Sequence, residues 1–275
     1  MSQTRNILIA VAAAAGIGAI LWYHYGRDLL PDAAAPSTVP EAATTPSSAP
    51  APAASAPAYR VPEQSAAQPD FVLPELAGSD SAVRGELEGL VGRQPLEAWL
   101  IPNQIVRRWV VFIDSLDRDG VPLPQRPARH VAGVPVVEQR DGQLVLGAAN
   151  AQRYAALMTL VRSVDAERLV SFYFRYYPLF QRAYGELGYG QRDFNTRLIE
   201  VLDHLLATPS VDGPIVLTQP KVLYQYADPQ LEALSFGQKA IIRLGADDAT
   251  LVKAKLRQIR AVIVTRALPA DAAPR

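Results

Sequence analysis

No cysteine occurs among the 275 residues, so neither a disulfide framework nor a thiolate metal site is available. There is no excess of charge either: 27 lysines and arginines balance 27 aspartates and glutamates. A general nucleic-acid binder carries a basic surplus, so nucleic acid is not an expected partner. Glycine is missing between Gly26 and Gly78, whereas nine of the 23 prolines fall between Pro31 and Pro69. The chain also lacks H-E-x-x-H, G-x-S-x-G, S-x-x-K, a Walker loop and a dinucleotide fingerprint. Those absences remove the usual signatures of zinc hydrolases, serine hydrolases and nucleotide enzymes, and no cofactor is expected.

What is present begins with an unbroken apolar run from Ile7 to Tyr23, flanked by Arg5 and by His24, Arg27 and Asp28. Such a run reaches about 25 Å as a helix, at the short end for a membrane span. Trp22, Tyr23 and Tyr25 sit where an interfacial aromatic belt would lie. The run ends in bulky aromatics, and the first small-residue triplet, Ala33 to Ala35, lies well beyond it. That favours an uncleaved signal anchor over a cleaved signal peptide. Residues 1–30 are therefore expected to hold one transmembrane helix, with the N-terminus cytoplasmic and the rest exported. Ala12 with Gly16 and Ala14 with Gly18 form two small-xxx-small pairs, a spacing that would let two spans pack as a homodimer.

Residues 31–69 are dominated by proline, alanine, serine and threonine, with four charges. They cannot bury enough apolar surface to offset chain entropy, so disorder is expected. Proline without glycine favours an extended tether, on the order of 120 Å at full reach.

The segment 70–268 carries enough chain for one core, with a disordered tail at 269–275. The expected fold class is mainly α, a single helical domain with a small β-hairpin. Ser79 or Asp80 would cap a helix through Val91, and Pro102 would open the helix carrying Val106, Trp109, Val110, Ile113 and Leu116 on one face. Val134–Gln139 and Gln143–Leu146 around Asp141-Gly142 read as a hairpin. Asn150 and Asp165 would cap the next two helices, to about Ser163 and about Leu187. Helices near Phe194–Ala207, Pro229–Leu234, Phe236–Leu244 and Asp247–Arg266 follow, with short extended segments at Ile215–Thr218 and Val222–Tyr226.

The blocks YPLFQRAYGELGYGQRDFNTRLIEVLDHLLATP (177–209), PIVLTQPKVLYQYADPQLEALSFGQKAIIRLG (214–245) and VKAKLRQIR (252–260), with RRWVVFIDSL (107–116), resemble the proteobacterial domain of unknown function 3014 family. The resemblance covers most of 70–265 and extends to the anchor-and-tether layout. It implies a Gram-negative origin, hence an inner-membrane anchor with a periplasmic domain, and brings no activity.

Candidate chemistry is sparse. Nine of the 21 aromatics lie between Phe172 and Phe194. Within this helix Leu169, Phe172, Tyr173, Tyr176, Phe180, Tyr184 and Leu187 make a broad apolar face, and Pro178 is expected to kink it. Arg168, Arg175 and Arg182 recur every seven residues on the polar side. They read as a solvated stripe or, with Tyr184, Tyr189 and Arg197, as a groove for an extended acidic partner, an envelope protein or polymer. Glu186, between Tyr184 and Tyr189, is the candidate general acid of an alternative reading, a peptidoglycan-active hydrolase. The plainer account is a helix-end residue pairing with Arg182. Glu200, Asp203 and His204 share one helix and could reach a cation. A site needs further ligands, and the domain's other histidine, His130, lies in a proline-rich loop. Lys253, Arg257 and Arg260 on one flank of the last helix read as a solvated edge, or as a contact for anionic headgroups or an acidic protein.

Overall fold

The computed structural model describes residues 59–62, 71–190 and 192–269. The expected anchor (1–30) and most of the tether and tail lie outside them. Among the described residues no helix is long and apolar enough to cross a membrane. The architecture is mainly helical with a small antiparallel sheet.

The helices are α1 (Asp80–Val91), α2 (Arg93–Trp99), α3 (Ile105–Ser115), α4 (Ala155–Arg162), α5 (Ala166–Tyr184), α6 (Phe194–Leu206), α7 (Pro229–Glu232), α8 (Phe236–Arg243) and α9 (Ala246–Arg266). The aromatic helix α5 is central and packs against α1, α3, α6 and α9. Its Phe172, Tyr173, Tyr176, Phe180 and Tyr184 are all buried. The stripe expected for α9 is buried in full: Val252, Leu256, Ile259 and Ile263 all enter the same core.

Side-chain caps start several helices. The Asp165 carboxylate accepts from Arg168 N at 2.9 Å, and Asp193 accepts from Thr196 N at 2.6 Å. Ser235 and Gln238 form a reciprocal capping box at α8. Three expected starts differ. Helix α1 begins at Asp80 with no side-chain cap from Ser79. Pro102 precedes α3 by three residues, because Gln104 adopts a left-handed conformation (φ 53°) before the helix begins. The cap for α3 comes from another helix: Asp80 Oδ2 accepts from Gln104 N at 2.7 Å and Oδ1 from Ile105 N at 2.8 Å. Asn150 caps nothing. It lies inside a 3-10 turn (Ala148–Tyr154), buried, where its side chain accepts from Val136 N and donates to the Arg243 carbonyl at 3.0 Å.

The helix through Pro178 stays unbroken from Ala166 to Tyr184, with Pro178 on its exposed face. The departure comes later, where a single π turn (Gly185–Tyr189) ends at Gly188 with φ 90°. The expected break at proline is therefore displaced to glycine, which adopts that backbone without a Cβ clash.

The hairpin consists of β2 (Val137–Arg140) and β3 (Gln143–Leu146), turned at Asp141 (φ 51°) and Gly142 (φ 77°), the double positive-φ turn that matches strand twist. It does not stand alone. Strands β4 (Val216–Thr218) and β5 (Gln225–Tyr226) extend it into a four-stranded antiparallel sheet, with Leu144 opposite Leu217 and Leu217 opposite Tyr226. Leu217, Tyr226 and Ile242 of α8 form a second, smaller core beneath it. Finally, Tyr59–Arg60 (β1) pairs with Leu268–Pro269 (β6), and Asn195 Nδ2 holds the Tyr59 carbonyl at 3.0 Å. Tyr59 and Arg60 fall within the stretch expected as tether and Pro269 opens the expected tail; in the structure the two strands pair just beyond α9.

Candidate functional site

The seven-residue arginine repeat on α5 does meet an acidic, extended partner, and that partner is the chain's own segment from Phe71 to Val91. Arg182 pairs with Glu75 at 2.6 Å and Arg175 with Glu86 at 3.0 Å, while Arg168 donates to the Gly89 carbonyl at 3.3 Å. The Arg175 guanidinium also lies 5.5 Å from the centre of the Phe71 ring. The stripe thus straps α1 and the segment before it onto α5.

Arg197 belongs to a different constellation. Its Nε donates to Asp114 Oδ1 at 2.8 Å, its two terminal nitrogens reach both Asp117 oxygens at 2.7 and 2.8 Å, and one of them also binds the Asp114 carbonyl. The remaining Asp114 oxygen accepts from Tyr189 Oη at 2.7 Å and Arg118 at 2.6 Å. Asp114 is 6% exposed and Arg197 15%. Burial alone would lower the Arg197 pKa, but the hydrogen bonds it donates to Asp117 and Asp114 outweigh it and hold the guanidinium above its ordinary value. Those same bonds from Arg197 hold the Asp117 carboxyl below its usual range. Tyr184 stacks on Tyr189 at 4.7 Å, and burial pushes its hydroxyl up to about 12. Nothing in the sequence singled out Asp114 or Asp117. Their actual partner lies 80 residues further along the chain.

Glu186 turns to α3 rather than to Arg182. It accepts from Arg107 Nε at 2.7 Å and from a terminal nitrogen at 3.1 Å, and its carboxylate is 44% exposed. The bond from Arg107 lowers its pKa. A general acid needs the opposite shift, from a desolvated environment. The expected metal trio diverges. Glu200 approaches Arg197 at 3.7 Å, Asp203 is clasped by Arg260 at 2.5 and 2.9 Å, and His204 Nε2 shares a 2.8 Å hydrogen bond with Ser235 Oγ. Among the described residues no group of three His, Asp or Glu side chains could hold a metal ion.

Open cationic surface lies elsewhere. A groove of about 780 Å³ runs between β3, the loop Pro209–Ile215 and the first turns of α9. Its floor is apolar, with Val145, Ile241 and Ile242, and its rim carries Arg140, Arg243, Lys253 and Arg257 against one lining carboxylate, Asp212; Arg140 also pairs with Glu138 at 3.6 Å. Arg243 stands against the Tyr226 ring at 5.6 Å, and one of its terminal nitrogens is buried without a hydrogen-bond partner. Lys253 Nζ donates to the Thr208 carbonyl at 2.6 Å, which fixes its position while leaving its charge uncompensated. Helix α9 opens here from Gly245 with no side-chain cap, and Asp247 and Asp248 in its first turn offset the partial positive charge of that end. The groove holds no histidine and no paired carboxylates, so its chemistry is that of binding an anion over an apolar strip. The basic flank of α9 was legible in the sequence. Arg140 and Arg243 carried no signal, because only the fold brings a hairpin and the end of α8 to that flank.

No curated protein and no solved structure matches this chain. A family model described as "Protein of unknown function (DUF3014)" matches residues 105–260, a span that contains α3 through most of α9 and every basic residue of the groove. Since the match covers more than half of the sequence, the chain belongs to the DUF3014 family.

Proposed function

We propose that this is a single-pass inner-membrane protein that presents a non-catalytic helical domain to the periplasm. There the domain binds a carboxylate- or phosphate-bearing segment of an envelope component. The observation that carries the reading is the groove: four cations and one carboxylate line it, with Arg140 also meeting Glu138 at 3.6 Å, whereas Arg182 and Arg175 on α5 are paired with Glu75 and Glu86. With the domain closing at Tyr59, a tether over 31–58 would reach on the order of 90 Å if extended, enough to hold the groove well clear of the bilayer. The whole domain is nearly neutral, with 23 basic and 22 acidic residues over 70–268, so recognition is local and salt-sensitive rather than steered from afar.

The test is site-specific photo-cross-linking in living cells. Full-length protein carrying the cross-linker at Thr250 or Asp212 is expected to capture a discrete envelope component, and the pair Arg140→Ala and Arg257→Ala to abolish that capture. Both arginines are exposed, so their removal leaves the core intact. Capture that survives the charge removal, or that arises only from Arg168 or Arg182, refutes the groove as the contact. Placement is checked separately by fusing a reporter after Arg275: activity confined to the cytoplasm overturns the periplasmic assignment.

A further inference from the structure

Where α1, α3, α5, α6 and α9 converge, the core is not filled. A cavity of about 120 Å³ lies there, with Val83, Leu87, Phe172, Val201, Leu256 and Ile263 among its walls. All of these are more than nine-tenths buried. The remaining wall is also aliphatic or aromatic, and two of its side chains carry a polar atom. The hydroxyl of Tyr173 donates to Asn195 Oδ1 at 3.1 Å. Trp109 is 5% exposed, and its indole N–H is buried with no hydrogen-bond partner. Packing against the edge of Phe112, with ring centres 5.9 Å apart, holds the indole in place.

Each feature is unfavourable in an empty protein. Interiors are close-packed, and atoms facing a void lose dispersion contacts. A buried N–H without an acceptor forfeits the hydrogen bond it made to water in the unfolded chain. Water remedies neither, since a buried water needs two to four polar partners and this wall offers one free donor. An ion is worse, because nothing here would offset its desolvation. Engineered apolar cavities of roughly 150 Å³ stay dry and take up benzene. Ile113, Leu169 and Leu198, also in the wall, are partly exposed, so a single layer of side chains separates the cavity from solvent.

We propose that this cavity is a binding site for a compact, uncharged apolar molecule of about benzene size carrying one hydrogen-bond acceptor, which the Trp109 indole N–H engages. The site is separate from the groove and stands or falls independently of it.

Full-length protein in lipid nanodiscs, labelled with ¹⁵N at the tryptophan indoles, would be titrated with cyclohexanone or with methylcyclohexane. The second has the same number of heavy atoms and no acceptor. At matched free aqueous concentration, cyclohexanone is expected to move the Trp109 indole resonance downfield and saturably while leaving Trp99 in place. The indole bond should raise its affinity, relative to that of methylcyclohexane, about five- to tenfold over the same ratio in a protein that lacks the donor. Methyl shifts of Ile259 and Ile263 report occupancy without relying on the indole. Trp109→Phe keeps an aromatic wall and should lower the ratio of cyclohexanone to methylcyclohexane affinity about five- to tenfold, and Val201→Phe should fill the void and abolish both. Should Val201→Phe fail to fold, the comparison of probes in the unsubstituted protein and in Trp109→Phe decides alone. No saturable shift of the Trp109 resonance, or an affinity ratio that Trp109→Phe leaves unchanged, overturns the proposal.

Discussion

Replacing Arg197 with methionine removes four hydrogen bonds at once, to both oxygens of Asp117 and to a side-chain oxygen and the carbonyl of Asp114. The two carboxylates then fare differently. Asp117, 26% exposed, can be rehydrated in place. Asp114, at 6%, cannot, and keeps only Tyr189 and Arg118 on one of its oxygens. Breaking a buried pair costs about 3–5 kcal/mol, and the two surviving partners place this case near the lower end, about 3 kcal/mol. For a domain of this size that corresponds to a fall of roughly 6–12 °C in Tm. Asp114→Asn relieves the stranded charge, so the double variant should lose at least about 1 kcal/mol less than the sum of the single losses. Asp117 adds a pH signature. Its folded pKa is depressed, so its stabilisation is fully present above the ordinary carboxylate value near 4 and disappears as pH falls through the depressed value. Arg197→Met should flatten that part of the acid limb. Urea unfolding of the full chain, followed by tryptophan fluorescence from pH 3 to 7, measures all of this. A loss below about 1 kcal/mol, or strict additivity with Asp114→Asn, would refute the claim that the node is buried and coupled.

Three further expectations concern the rest of the framework. Asp80→Ala leaves the first amides of α3 without their cap and should cost about 1 kcal/mol by urea unfolding, while Asp80→Asn retains part of the effect. A Cβ added at Gly237 would lie 2.5 Å from Leu205 Cδ2 and 2.8 Å from the Leu116 carbonyl oxygen, so Gly237→Ala should destabilise by about 1–3 kcal/mol, read as a lower Tm. At high pH, burial holds Tyr184 up to about 12 and raises Tyr173 and Tyr177 as well. These groups favour the fold fully below the unfolded tyrosine value near 10, and that contribution is lost as pH climbs from there through the folded values. Tyrosinate absorbance of the folded chain should therefore lag behind that of the urea-unfolded chain, and coincident titrations would refute it.

Much of the framework was legible because it is set by local chemistry. The apolar face of α5, the four buried positions of α9 and the carboxylate at Asp165 follow from helical periodicity and capping, which act within a few residues. The Asp141-Gly142 turn follows from backbone sterics. Several misjudged positions involve a distant partner. Asp80 caps α3 rather than its own helix, and Asn150 bridges Val136 and Arg243 instead of starting a helix. The hairpin acquires two more strands from beyond residue 215. Arg168, Arg175 and Arg182 looked available because their spacing was visible while Glu75 and Glu86, about 90 or more residues earlier, could not be matched to them.

Composition and periodicity alone determined the helical class, the balance of charge, the lack of thiol chemistry and the order of elements, because each depends on residue type or near neighbours. Only the tertiary structure decided which charges are consumed internally and which remain. It closed the arginine stripe, buried Arg197 between two aspartates, and gathered Arg140, Arg243, Lys253 and Arg257 along one groove. The reason is physical: a charge's availability is set by what lies within a few ångströms of it, and those neighbours arrive from every part of the chain.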